Sequence, residues 1–259
     1  MRKIAVLLCC TVIAAVLGGC VSVGFAPGNL GSAFTGGTSS ITGVGPMQEF
    51  TLSPGGFEGV DIGGRWELIY TNSPSHSVTA YIQENLFELF EFVVEQGVLV
   101  IRTHPGTSMG VLPGSPSPRL YIHAPALNSI NISGSAYISP ESDPITGDVL
   151  LLSTSGVVSG ELELNLQSFN GRFSGASSLT LSGSAVVSDI NVSGAGSIEA
   201  AGLETVTTII NVSGAGSAQV WANESLDARI SGAGSVIYHG DPESVSQRVS
   251  GAGSITSAS

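Results

Sequence analysis

From Phe50 onward the apolar residues fall at every second position in short runs: Val60 and Ile62, then Trp66, Leu68 and Tyr70, then Val78, Ala80 and Ile82, with Val98 and Val100, and Leu120 and Ile122, further on. Period two, broken by Gly, Pro, Asn and Ser, predicts short strands with one buried face. One stretch departs from it. In "ENLFELFEF", residues 84–92, Leu86, Phe87, Leu89 and Phe90 follow helical spacing and predict a short helical turn. The proline-rich "HPGTSMGVLPGSPSPR", residues 104–119, reads as a loop.

From about Asn128 a longer period is laid over the first. The segments "NISGSAYI", "RFSGASSL", "NVSGAGSIEA", "NVSGAGSAQV", "RISGAGSVIY" and "RVSGAGSIT" share a small-residue core, which aligns Gly134, Gly175, Gly194, Gly214, Gly232 and Gly251. A degenerate copy, "LSTSGVV", places Thr154 in register, and the successive intervals are then 20, 21, 19, 20, 18 and 19 residues. That period is too short for a helical pair or a propeller blade and lacks a leucine-rich pattern. It predicts an all-β, single-stranded parallel β-helix with rungs of about 20 residues, in which equivalent positions stack about 4.8 Å apart.

In such a coil the six glycines are structural corners, where small residues keep the turn narrow and Gly can take positive φ. The flanking apolar residues are expected to point inward as ladders: Ile132, Phe173, Val192, Val212, Ile230 and Val249 on one side, and Ile138, Ile198, Val236 and Ile255 on the other. Asn131, Asn191 and Asn211 recur in register, which suits an asparagine stack along the axis better than glycosylation of their N-x-S sequons.

Composition agrees with a packed, strand-rich chain: 42% hydrophobic and 11% charged residues, with 35 glycines in 259. The N-terminus changes the picture. Arg2 and Lys3 precede an apolar run from Ile4 to Leu17, the pattern of a secretory signal peptide and too short for a stable span. The run ends in Leu17-Gly18-Gly19-Cys20, which resembles a bacterial lipobox; that resemblance implies lipidation of Cys20, and Val21 after it points to the outer membrane. Residues 1–19 are therefore read as the signal, 20–46 as a flexible Gly/Ser/Thr-rich tether, 47–127 as an N-terminal β region leading into the coil, and 128–259 as the repeat-built β-helix. Cys9 and Cys10 leave with the signal, so Cys20 has no partner for an intrachain disulfide. Removing Arg2 and Lys3 leaves six arginines against 20 acidic residues, a net charge of −14. Such a surface repels phosphate backbones and anionic headgroups, so nucleic acid is not an expected partner and the membrane is reached through the lipid.

The combination of "GGFEGVDIGG", "QGVLVIRT", "RLYIHAPALNSINISGSAYI" and the SGAGS copies, spanning about Phe50 to Ile255, resembles the auto-transporter adhesin head GIN domain family of bacterial envelope proteins. The resemblance implies a right-handed parallel β-helix at the bacterial surface or in the periplasm, with an adhesive or scaffolding role. It brings no catalytic, cofactor-binding or metal-binding residues.

Catalytic patterns are thin. "GTSMG", residues 106–110, matches G-x-S-x-G with Ser108 as nucleophile and His104 or His123 as base, but Pro105 before it and Pro113, Pro116 and Pro118 after it deny the strand-to-helix elbow that chemistry needs. The G-A-G-S copies lack the third glycine and following helix of a dinucleotide loop. The four histidines, His76, His104, His123 and His239, have no zinc-ligand spacing. Glu141/Asp143 and Glu161/Glu163 are paired carboxylates whose default role is to keep a strand-rich surface soluble. The sequence thus reads as a lipid-anchored, non-enzymatic envelope protein without a cofactor or metal, an adhesin or surface scaffold with a surface glycan or protein as ligand. One alternative is an enzyme or binder acting on polysaccharide, with Trp221 and Tyr238 as aromatic groove candidates. Another is a structural subunit assembling end to end, as a homo-oligomer, through the unpaired edge of the C-terminal rung at residues 248–256.

Overall fold

The computed structural model describes residues 39–110 and 114–258. The signal stretch 1–19, Cys20 and the tether up to residue 38 lie outside the described residues. The N-terminal part contains β1 (Ser39–Thr42), β2 (Met47–Leu52), β3 (Gly59–Ile62), β4 (Arg65–Asn72), β5 (Ser77–Gln83), α1 (Glu84–Phe87), β6 (Phe90–Glu95), β7 (Val98–Thr103), β8 (Thr107–Gly110) and β9 (Arg119–Ala124). The repeats follow as β10 (Ser129–Ile132), β11 (Ser135–Ile138), β12 (Ile145–Thr154), β13 (Val157–Phe173), β14 (Ala176–Val192), β15 (Ser197–Val212), β16 (Ser217–Trp221), β17 (Ser225–Ile230), β18 (Ser235–His239), β19 (Ser244–Val249) and β20 (Ser254–Ser257).

Every strand from β10 to β20 pairs in parallel with its equivalent one turn away, giving a β-solenoid of about 7 turns with about 19 residues per turn. The coil reaches further toward the N-terminus than the SGAGS copies: β3 and β4 pair in parallel with β10 and β11. On their other side they pair with β7 and β9, and the antiparallel additions β5, β6 and β2 follow. Here the period-two runs and the helical turn predicted at residues 84–92 meet. Trp66 packs on Phe90 at 4.8 Å between ring centroids, and Phe87 stacks on Phe50 at 4.0 Å. These rings close one end of the coil, where a solenoid would otherwise leave apolar interior in water.

Register turns the repeat into columns. Ile62, Ile132, Thr154, Phe173, Val192, Val212, Ile230 and Val249 stack in order along one inward column. Leu179, Ile198, Ala218, Val236 and Ile255 follow one another along a second. All are buried except Val249, which is 47% exposed, and the half-buried Ile255, because the terminal turn has no successor to cover it among the described residues. Each fully buried Val or Ile contributes about 1.5–3 kcal/mol of hydrophobic stabilisation. The interior leaves little room. An apolar hollow bounded by Val60, Leu68, Ile130 and Leu162 has space of about 30 Å³.

Thr154 is not the corner residue of its turn. Gly156 is: a Cβ on Gly156 would overlap the Gly134 carbonyl oxygen, and one on Gly175 would overlap that of Gly156. Thr154 stands two residues earlier, in the inward column between Ile132 and Phe173. The same close approach joins Gly64 to Gly134 and continues through Gly194, Gly214, Gly232 and Gly251. Of the six glycines aligned from the sequence only Gly251 has positive φ, at 134°. Crowding by the turn below, more than left-handed backbone, makes these positions glycine.

Two further expectations are corrected. Ser39–Thr42, read as part of the tether, is β1, and it pairs in parallel with Thr107–Gly110, read as loop. The alternation around Ile41 and Met109 gives this pair an inner edge that packs on the core.

Candidate functional site

The coil's interior is filled, so its chemistry lies on the outside. Immediately before each corner from Gly134 to Gly251 stands an exposed serine, in a row of seven from Ser133 to Ser250. Two residues before those serines, polar side chains link along the axis: Asn131 donates to Asp61 at 2.9 Å, and Asn211 Nδ2 to Asn191 Oδ1 at 3.1 Å. Asn191 also donates to Asp189 at 2.8 Å. The asparagine stack is therefore present between Asn191 and Asn211, while Ser153 and Arg172 separate Asn131 from them.

Large side chains interrupt this small, polar surface in several places, Val149 and Val186 among them, and two of these places carry an aromatic ring on the coil. A recess of about 260 Å³ lies where β4, β11 and β13 meet, with Tyr137 45% and Val157 60% exposed on its wall. Arg65 and Glu67 border it, and Glu67 accepts a 3.1 Å ion-pair contact from Arg119. The second place is a shelf on β16 and β18. Trp221 and His239 are cross-strand partners, their rings 6.1 Å apart and within 6° of parallel. Trp221 Nε1 donates to Asn223 Oδ1 at 2.8 Å, and His239 Nε2 lies 3.1 Å from Gln219 Oε1. Tyr238, paired in sequence reasoning with Trp221, points the other way: it aligns with buried Val220 and packs on the core. His239 was the missed partner, and its 18-residue distance from Trp221, equal to that between Gly214 and Gly232, is the signal that places it.

The catalytic patterns come apart. Ser108 lies in β8 opposite Ser40, with no helix following and no hydrogen bond to a histidine among the described residues. Glu161 and Glu163 flank buried Leu162 and face solvent, as strand alternation requires. Asp143 is used structurally, accepting the Asn72 backbone N–H at 2.8 Å. Among the described residues no group of three or more His, Cys, Asp or Glu could hold a metal ion. Tyr70 donates its hydroxyl to the Ala124 carbonyl at 3.1 Å, and burial, with the nearby Asp143 carboxylate, raises its pKa above the usual tyrosine value.

The fold has solved relatives. A putative adhesin from Bacteroides fragilis superposes with a TM-score of 0.75 at 22% identity, covering 85% of this chain and 100% of its own. A putative adhesin from Parabacteroides merdae gives 0.64 at 22% identity, covering 85% and 99%. A structure from Parabacteroides distasonis described as a putative lipid binding protein gives 0.62 at 21% identity, covering 85% and 100%. At these identities the likeness is one of fold. No curated protein matches the chain at a significant level. The family described as "Putative auto-transporter adhesin, head GIN domain" matches residues 56–242, which takes in the strands from β3 onward as far as β18, the corners from Gly64 to Gly232 and both aromatic sites. The chain belongs to this head GIN domain family.

Proposed function

We propose that the protein is a lipid-anchored, non-enzymatic adhesin or surface scaffold of the bacterial cell envelope, attached to the outer membrane through Cys20. The observation that carries this reading is a coil whose described interior is packed with buried apolar side chains, in an adhesin-described family, which supports a ligand met on the outer columns. A rigid rod suits that task, because its outward side chains are fixed by the parallel register beneath them. The acidic surface is not drawn to anionic headgroups, which leaves the acyl chains to hold the protein at the membrane. Protease shaving and antibody labelling of intact cells test it, with Cys20→Ala as control. Exposure that is lost, together with membrane retention, in Cys20→Ala is the expected result. Protection until the outer membrane is broken would overturn the adhesin reading in favour of a periplasmic scaffold.

A second reading, self-association through the C-terminal turn, is favoured by Val245 and Val249, which are 43% and 47% exposed although their column mates Leu226 and Ile230 are buried. The same turn also carries Gln247 and Ser257, in line with buried Ala228 and with Tyr238, and these polar groups weaken that edge as an apolar interface. Sedimentation over a range of concentrations tests it: a concentration-dependent shift supports pairing of two such turns, and a monomer throughout removes it.

A further inference from the structure

We propose that the Trp221–His239 shelf binds a neutral pyranose sugar, which rests on the adhesive reading above and names its ligand class. The chain has two tryptophans, and their fates differ. Trp66 is buried in the closed end, whereas Trp221 stands outward on β16, where packing does not require it; the inward side of that strand is already filled by Ala218 and Val220. Leaving part of an indole exposed costs hydrophobic stabilisation that a fully buried position would recover.

The fold holds the backbone beneath this indole firmly. The Trp221 carbonyl accepts a hydrogen bond from the buried Thr208 hydroxyl at 2.7 Å and another from buried Thr205. The Ala222 N–H, next in sequence, donates to the His239 carbonyl at 3.1 Å, tying the two halves of the shelf together. Gly240, with φ of 86°, is required first by the backbone, since a Cβ there would overlap the Ala222 carbonyl oxygen, and it would also stand 3.2 Å from Trp221 Nε1. His239 takes up one side of the ring. On the other side the preceding turn continues from Ala200, the partner of Val220, into Ala201, whose side chain is a single methyl group.

Planar polar groups surround the ring. Asn223 and Gln219 use their amide oxygens on Trp221 and His239, which leaves both NH₂ groups as donors. Glu199 aligns with Gln219 one turn below and adds carboxylate acceptors, one of them engaged by Ser197 at 3.2 Å. A pyranose presents an apolar C–H face edged by hydroxyls that both donate and accept, and an aromatic face ringed by amides and a carboxylate matches it. Glu199, together with the excess of acid over base in the whole chain, disfavours sulfated and uronic sugars.

The test is binding of the purified full chain to neutral glucan, galactan, mannan and xylan oligosaccharides, with sulfated and uronic oligosaccharides alongside, read by calorimetry and tryptophan fluorescence. At least one neutral sugar is expected to bind, with affinity about tenfold weaker or worse in Trp221→Ala and largely kept in Trp221→Phe. Unchanged thermal melting and circular dichroism of Trp221→Ala show that the loss is local. No binding to any neutral sugar, equal binding by Trp221→Ala, or preference for the acidic sugars overturns the proposal. Its failure is separable from that of the adhesive reading: Trp221→Ala cells that adhere like the parent remove the shelf and leave adhesion, whereas sugar binding by a protein shielded from the cell exterior does the reverse.

Discussion

The Thr154 hydroxyl lies 2.8 Å from that of Ser177, one turn further along, and both are buried. A threonine is tolerated among Ile132, Phe173 and Val192 because the next turn supplies its partner. Thr154→Val alone keeps the shape but strands Ser177, and is expected to cost about 1–3 kcal/mol. Adding Ser177→Ala is expected to recover most of that loss. Urea unfolding of the two singles and the double measures the coupling, and additive losses would refute it.

Gly194→Ala places a methyl group on the Gly175 carbonyl and is expected to destabilise by about 1–3 kcal/mol or more. Gly202→Ala is the control: its nearest neighbours would be 3.5 Å away, ordinary contact, so little stability is lost. Thermal melts that fail to separate the two variants would show that the corner is not closed by crowding.

How far the sequence could reveal this depends on what each signal encodes. Period two located most of the inward residues, since alternation follows from the pleat itself, but in β7 it picked the wrong face: Leu99 and Ile101 are buried while Val98 and Val100 are partly exposed. The spacing of Gly175, Gly194, Gly214 and Gly232 reflects one turn of backbone directly. Gly156 escaped because Val157 and Val158 follow it where the other copies carry small residues, and no apolar residue stands two places before it; Thr154 fills that column only through Ser177, a contact no local pattern announces. Gly64 escaped because the β6–β7 hairpin and the inserted antiparallel strand β5 separate it from Gly134. The pairing of Ser39–Thr42 with Thr107–Gly110 is a contact between distant, weakly patterned segments. Of the candidate site, Trp221 was legible as an unusual residue, but its partner needed the register.

Within one inward column, burial alone distinguishes Val212 from Val249. Val212→Ala is expected to cost about 2 kcal/mol and Val249→Ala less than about 0.5 kcal/mol in the monomer. A large cost for Val249→Ala that depends on protein concentration would instead mean that a second molecule covers the terminal turn.

The raised pKa of Tyr70 fixes a sign. The neutral phenol is favoured in the folded state, so its contribution is fully present below the ordinary value of about 10 and is lost as pH rises through the higher folded-state value. Tyr70→Phe is expected to cost about 0.5–1 kcal/mol at neutral pH, because the Ala124 carbonyl keeps the Ser73 N–H as a second partner. It is also expected to flatten the decline in stability above pH 10. An unchanged alkaline profile in urea melts would assign that decline to other groups.

Each corner carbonyl occupies the space that a side chain on the next glycine would need, so a turn restricts its immediate neighbours and nothing beyond them. Copying one 19-residue unit would lengthen the rod by about 4.8 Å without disturbing the rest. The outward columns carry no such restriction and can change residue by residue. The molecule is in effect a ruler of fixed pitch, whose graduations can be rewritten and whose length can grow by whole steps.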